Sequence, residues 1–275
     1  MNIKILFEDK NVLVIDKPAG ISVHPAAEQA RNGTGPYGRS KEKTITDWLI
    51  SNYPSIKNVG EPLVTEKEKI LRPGIVHRLD KETSGVLLVA KNQKTFLFLK
   101  EQFQEHKIKK TYRLFVYGFV SDPKASLLTG KRGIINAPIG RSQKDIRAYT
   151  AGRGAREPLR DAVTEYIILN KFTDSNNDDE NKEVSHQYSY IEAYPKTGRT
   201  HQIRVHMRYI NHPVVSDPLY RGNQDLALGM KRLALHSYSI IFRLPNGEQK
   251  TVEAPLPADF KKVIKTYLAP TPIFL

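Results

Sequence analysis

Short runs of β-branched and aromatic residues, each cut off by turn chemistry, recur along the chain and leave room for only a few helices. Val12–Asp16 (VLVID) is closed by Lys17-Pro18-Ala19-Gly20, and such a run bounded by Pro and Gly reads as a strand. Val86–Lys91, Thr111–Val120, Ala162–Leu169 and Tyr188–Tyr194 carry the same signal. Pro245-Asn246-Gly247 between Tyr238–Arg243 and Gln249–Ala254 predicts a hairpin. Helical spacing is confined to four stretches. One starts at Thr44, where Thr44-x-x-Asp47 forms a capping box ahead of Ile45, Trp48 and Leu49, and Pro54 ends it. A second covers Asn92–His106, capped by Asn92 and buried through Phe96, Leu99 and Phe103. Gly198–Ile210 places Ile203, Met207 and Ile210 on one face, and a last helix from Pro257 buries Phe260, Val263, Ile264 and Tyr267. Strands that cluster with so few helices predict an α+β fold with a mixed, mainly antiparallel sheet and flanking helices, rather than a doubly wound parallel sheet. No repeat or linker breaks the pattern, so residues 1–275 are expected to form a single domain. Ala26–Lys43 reads as an exposed loop, and the acidic run Asp174–Glu183 as a second loop between strands.

Composition narrows the chemistry. The absence of cysteine excludes a disulfide framework, a thiolate nucleophile, a zinc ribbon and an iron–sulfur site. No apolar run approaches the ~20 residues of a membrane span, and Met1–Asp9 lacks a signal-peptide layout. A cytoplasmic protein without membrane attachment is expected. The 43 Lys and Arg against 29 Asp and Glu leave a net charge of +14. The excess is uneven, since residues 100–160 hold fourteen cations and five acids. That points to a polyanionic partner, with nucleic acid the commonest inside cells, although a merely solvating basic surface gives the same count.

Three dense polar stretches could carry chemistry. In Gly74-Ile-Val-His77-Arg78-Leu79-Asp80-Lys-Glu-Thr83-Ser84-Gly85, an extended Ile75–Asp80 would put Val76, Arg78 and Asp80 on one face and Ile75, His77 and Leu79 on the other. A cation would then stand beside a carboxylate at a loop mouth, a pattern that an ordinary charged turn also produces. In Gly198-Arg199-Thr-His201-Gln-Ile-Arg204-Val-His206, several donors near a helix start suit an anion, a phosphate or a facing carboxylate, while a solvated helix face would look alike. Lys109-Lys110-Thr-Tyr112-Arg113 interleaves cations with an aromatic, which suits bases and phosphates but equally a packed strand. The histidines lack metal-site spacing, and Gly152-Arg-Gly154-Ala-Arg lacks both the third glycine and a preceding strand of a dinucleotide site. No metal and no cofactor are expected.

Taken together, these stretches resemble the RluA family of pseudouridine synthases. His77-Arg78-Leu79-Asp80 with Thr83-Ser84-Gly85, Lys110-x-Tyr112, Pro138-Ile-Gly140-Arg141 and Gly198–His206 stand in the family's order. Asp16–Gly20, Val23-His24-Pro25, Asp217-Pro218-Leu219-Tyr220 and Leu235-His236 are similar too, so the likeness runs from about residue 6 to 255. Many relatives carry a small N-terminal RNA-binding domain, whereas here the catalytic-domain pattern is expected to start at Ile5–Phe7.

The resemblance implies an isomerase acting on uridine in ribosomal or transfer RNA, without cofactor, metal or energy source. The N1–C1′ bond breaks, the uracil turns while bound, and C5 joins C1′. It further implies a central catalytic cleft in which Asp80 acts on the ribose as nucleophile or base. Arg204 would pair with that carboxylate and keep it ionised. Tyr112 would stack on the uracil and assist removal of the C5 proton, and Leu235 would wall the base. Arg78 is the candidate to fill the space left by the extruded base. Substrate-binding roles are expected for His77, Lys110, Arg141, Arg199 and His201, with Lys109, Arg113 and Arg147 adding phosphate contacts. A monomer is expected. The rival from another class is a non-catalytic RNA-binding or ribosome-assembly protein on the same fold, against which the intact Asp80, Tyr112 and Arg204 set argues.

Overall fold

The computed structural model describes residues 1–25, 42–64, 69–120, 132–178 and 182–268. In chain order these form β1 (Lys4–Glu8), β2 (Val12–Lys17), α1 (Ile45–Asn52), β3 (Leu63–Val64), β4 (Lys69–Ile70), β5 (Ser84–Ala90), α2 (Gln93–Gln104) and β6 (Lys109–Tyr117). There follow β7 (Gly133–Asn136), β8 (Ile139–Ser142), β9 (Tyr149–Ala151), β10 (Ala155–Arg160), β11 (Val163–Asp178), β12 (Lys182–Pro195) and α3 (Gln202–Tyr209). The described chain closes with β13 (Leu235–Arg243), β14 (Gln249–Glu253) and α4 (Ala258–Tyr267). Two compact units result, one from Met1–Lys110 with Ser237–Ala254, the other from Thr111–His236 with Pro255–Leu275.

In the first unit the strand order is β1-β2-β5-β13, with β14 on β13. β2 lies antiparallel to β5 from Val12↔Ala90 to Lys17↔Gly85. Both strands are buried on both faces, and on one of them Val12, Val14, Val86 and Leu88 join Phe96, Leu99, Ile240 and Phe242 in one core. The predicted caps are present. Thr44 and Asp47 close a capping box on α1, and the Asn92 side chain accepts from the Thr95 N–H at 2.9 Å to start α2. Gly247 adopts the left-handed conformation that the β13–β14 turn requires.

The second unit orders its main strands β6-β12-β11-β7, and β10-β8-β9 form a separate small sheet. Its core is aromatic. The Phe115 ring stacks on Tyr190 at 4.8 Å and packs against Phe172 and Phe260. Every strand pair whose register is described is antiparallel.

Two expectations change. The acidic run is largely strand, not loop, because the β11–β12 ladder continues from Asp174↔His186 to Asp178↔Lys182. Backbone pairing in a long hairpin overrides the poor strand preference of Asp and Asn. Asp174 itself is buried and accepts a hydrogen bond from the Tyr267 hydroxyl of α4, so it anchors that helix. The third helix starts at Gln202, with Arg199 in the preceding turn and a left-handed His201 as its first flanking residue. Of the predicted loop Ala26–Lys43, residues 26–41 lie outside the described residues.

Candidate active site

Asp80 sits on the irregular segment between the Pro73-Gly74 turn and β5, and the segment is pinned on both sides of it. Gly74 has φ +65°, and a Cβ there would stand 2.2 Å from the Ala90 carbonyl oxygen, so only glycine permits this entry. Three residues before Asp80, the Nε2 of His77 accepts the Leu88 N–H at 2.9 Å, and its ring stacks on Phe103 at 4.9 Å. One residue after Asp80, the Lys81 carbonyl accepts from the Gly20 N–H at 2.8 Å and from Lys17 Nζ at 3.1 Å. Lys17 is fully buried, and its ammonium also donates to the Pro18 and Ile21 carbonyls, both at 2.8 Å. Donation to backbone carbonyls of this kind is what makes a buried lysine tolerable. The segment Ile75–Asp80 is not a strand, apart from one bridge at Ile75; Leu79 is buried and Arg78 exposed, but Val76, expected on the Arg78 face, packs against the core of the first unit, so the two-face alternation does not hold.

The geometry gives His77 a structural task. Burial, reinforced by the Lys110 ammonium, lowers its pKa to about 3, so the ring is neutral and can accept from Leu88. Burial lowers Lys110 to about 8, which leaves it mostly charged at neutral pH. Burial and the Arg78 guanidinium lower the pKa of Arg72, and His24 is held toward its neutral form by burial and by both arginines. Cations thus gather beside the Asp80 segment.

In the second unit Tyr112 lies on β6 opposite Ala193 and is 8% exposed. Arg113, one residue on, pairs with Glu192 at 2.5 Å, so a carboxylate competes for the phosphate role expected of it. Leu235 is buried at the start of β13. Arg141 is exposed on the small sheet, where it donates to the Ile146 carbonyl at 3.1 Å. Arg199 donates to the Asp161 carbonyl at 2.9 Å, and Arg147 is gripped by Asp145 at 2.8 Å.

Arg204 is the most elaborately held side chain of the set. Its Nε and Nη2 donate to the two oxygens of Asp217 at 2.7 and 2.8 Å, and both residues are buried. Such a two-pronged pair fixes the guanidinium plane as well as its charge. Asp217 Oδ1 also accepts the Leu219 and Tyr220 N–H groups, at 2.9 and 3.0 Å, and the Tyr220 ring lies 4.9 Å from the guanidinium carbon. Elsewhere α3 is riveted to its unit. Gln202 donates to the Val163 carbonyl and Thr164 Oγ1, each at 3.0 Å. His206 Nε2 donates to the Ala137 carbonyl at 3.0 Å, so its Nδ1 is the acceptor, and Thr164 donates to it at 2.8 Å. Burial lowers the His206 pKa, in keeping with this neutral tautomer. His201 Nδ1 shares a 2.8 Å bond with the Tyr220 hydroxyl. The polar motif at the start of α3 is therefore neither an open anion site nor a solvated face; most of it is internal scaffolding around one arginine.

Asp217 and Lys17 are the two residues that site reasoning from sequence missed. Their motifs stood out, but the partners lie 13 and 64 positions away, beyond any local spacing signal. Among the described residues no group of three or more His, Asp or Glu could hold a metal, and no helix is long and apolar enough to cross a membrane.

A basic α+β protein with a pinned carboxylate loop and a buried, carboxylate-held arginine is a candidate nucleic-acid-modifying enzyme, and comparison with known proteins specifies the class. Residues 11–209 match the sequence profile described as RNA pseudouridylate synthase. The chain is 34% identical over 266 residues to the "Uncharacterized RNA pseudouridine synthase YlyB" of Bacillus subtilis, covering 96% of this chain and 73% of that one. It is 34% identical over 238 residues to "Ribosomal large subunit pseudouridine synthase D" of Borreliella burgdorferi, covering 86% of this chain and 60% of that one. The solved "Human RNA Pseudouridylate Synthase Domain Containing 1" has the same fold, with a TM-score of 0.66 over 93% of this chain and 84% of that one at 23% identity. The chain belongs to the RNA pseudouridylate synthase family, whose members are isomerases that convert uridine in RNA to pseudouridine.

Proposed function

We propose that this protein isomerises uridine in ribosomal RNA, with Asp80 as its catalytic carboxylate and Arg204 and Tyr112 as the groups that serve it. The observation that carries the reading is the way the chain spends buried polar groups. Lys17, His77 and the Lys81 carbonyl fix the Asp80 loop, while Asp217 fixes Arg204. Burying charges costs several kcal/mol unless the geometry is good, and a mere RNA-binding surface has no use for that expense. Asp80 acts on the ribose as the N1–C1′ bond opens, and Arg204 favours its ionised form. The Tyr112 ring stacks on the uracil while it turns. After C5 joins C1′, the C5 proton leaves and N1 gains one, so the product is an isomer and no co-reactant is consumed.

Ribosomal RNA is favoured over transfer RNA because a relative named for the large ribosomal subunit matches across most of this chain. Mapping pseudouridines in the RNA of a deletion strain tests this. Loss of one or a few sites in ribosomal RNA, restored by the wild-type gene and not by Asp80→Asn, is the expected result. Loss confined to transfer RNA would overturn the substrate assignment.

A further inference from the structure

Beyond Arg141 and Arg147, the residues of the small sheet β8–β10 and its turns have been given no role. Residues 139–160 carry Arg141, Lys144, Arg147, Arg153, Arg156 and Arg160 against only Asp145 and Glu157. β10 is an edge strand, and every residue from Arg156 to Arg160 is exposed. An exposed edge lined with arginine is protected against pairing with another sheet, and its charge suits a polyanion.

On the other side of the small sheet, where α3 packs against β9, stands Tyr209 at the end of that helix, with half of its surface exposed. Its ring lies over the turn between β9 and β10. A Cβ at Gly152 would stand 3.0 Å from the Tyr209 Cε2, so the glycine lets the ring pack closely on the turn. Gly152 and Gly154 are both left-handed and flank the exposed Arg153. Next to Tyr209 in the chain, Arg208 lies over Gly222, with a guanidinium nitrogen 3.3 Å from where a Cβ would stand there. A half-open aromatic ring supported from one side by a glycine turn, with Arg153 in that turn and Arg208 next to it in the chain, matches what an unpaired base and its phosphates require.

We infer that Tyr209 and the β8–β10 sheet form a second RNA-holding subsite, in which the Tyr209 ring stacks an unpaired base of the substrate RNA while Arg153, Arg156 and Arg208 hold the adjoining phosphates. The inference rests on the protein being an RNA-modifying enzyme and adds the single-stranded character of the flanking RNA.

The test measures the affinity of purified full-length protein for a single-stranded-loop RNA transcript carrying C5-tritiated uridine, alongside tritium release from the same transcript. Tyr209→Ala is expected to weaken binding roughly tenfold, the loss falling on Kd and KM, whereas Tyr209→Phe keeps binding within about twofold because the ring remains. Arg153→Ala with Arg156→Ala should flatten the salt dependence of log Kd by about 1.4, for two lost phosphate contacts on a single strand. Unchanged binding by Tyr209→Ala, with active wild type, overturns the subsite and leaves the enzyme assignment standing. Equal loss in Phe and Ala, or a Tyr209→Ala effect on self-association and none on RNA, overturns it too. Tyr209-dependent binding by a wild-type protein that releases no tritium would instead refute the synthase reading alone.

Discussion

Replacing Asp217 by Asn probes the arginine clamp with the least change in shape. Both partners are buried, and two charge-assisted bonds of 2.7 and 2.8 Å join them. Asn can keep the Oδ1 acceptor for the Leu219 and Tyr220 N–H groups. At the other position it presents an NH2 to the Arg204 Nε–H, so donor faces donor and the guanidinium loses its counter-charge. Removing one partner of a buried pair costs about 3–5 kcal/mol. Since most of Asp217's backbone bonds survive, about 3 kcal/mol is expected. Urea denaturation at neutral pH reads the stability, and tritium release reads the chemistry, where a misplaced Arg204 should lower turnover at least tenfold. In an Arg204→Met background the same Asp217→Asn change should cost about 1 kcal/mol or less, giving a coupling of about 2 kcal/mol. Equal cost in both backgrounds would refute the claim that Asp217 acts through Arg204.

Acid should weaken the first unit through His77. Its folded pKa near 3 lies below the unfolded value of 6.5, so the unfolded chain takes up the proton first. The contribution is complete above pH 6.5 and is lost as pH falls toward 3, at about 1.4 kcal/mol per unit. Between pH 6.5 and 5 the wild type should therefore lose about 2 kcal/mol more than His77→Gln in urea titrations, and parallel losses would contradict the assignment. Glycine substitutions should divide by their surroundings. Gly85→Ala puts a Cβ 2.1 Å from the Ser237 carbonyl oxygen at φ +110° and should prevent recovery of folded protein. Gly154→Ala meets nothing within 4 Å and should cost only the ~1–2 kcal/mol of a left-handed alanine, read by thermal melting.

Much of the fold was legible because its signals are local. The Thr44–Asp47 box, the Asn92 cap and the Pro245-Asn246-Gly247 turn specify their own backbone, and each appears where the residues place it. The acidic hairpin was misread because its strand character comes from pairing with β12 and not from its own side chains. At the proposed site, the ordered motifs single out Asp80, Tyr112 and Arg204 as candidates, but the work of the surrounding residues was hidden. His77, His201 and His206 look like substrate or anion ligands in a linear string. In the fold, His77 props a loop, and Gln202 and His206 tie a helix to β11 and the Ala137 carbonyl. Lys17 resembled a turn residue and is a buried staple across 64 positions. Long-range satisfaction of buried polar groups leaves no periodic trace in a sequence.

The central claim is that Asp80 does the chemistry, and its most direct measurement compares wild type with Asp80→Asn on C5-tritiated ribosomal RNA transcripts. Asn keeps the side-chain shape and removes the charge, so RNA binding should persist within a few-fold. Wild type should release tritium and form pseudouridine, and the variant should release none above background in single-turnover time courses with excess enzyme. Tritium release by Asp80→Asn at a rate within tenfold of wild type would contradict the account.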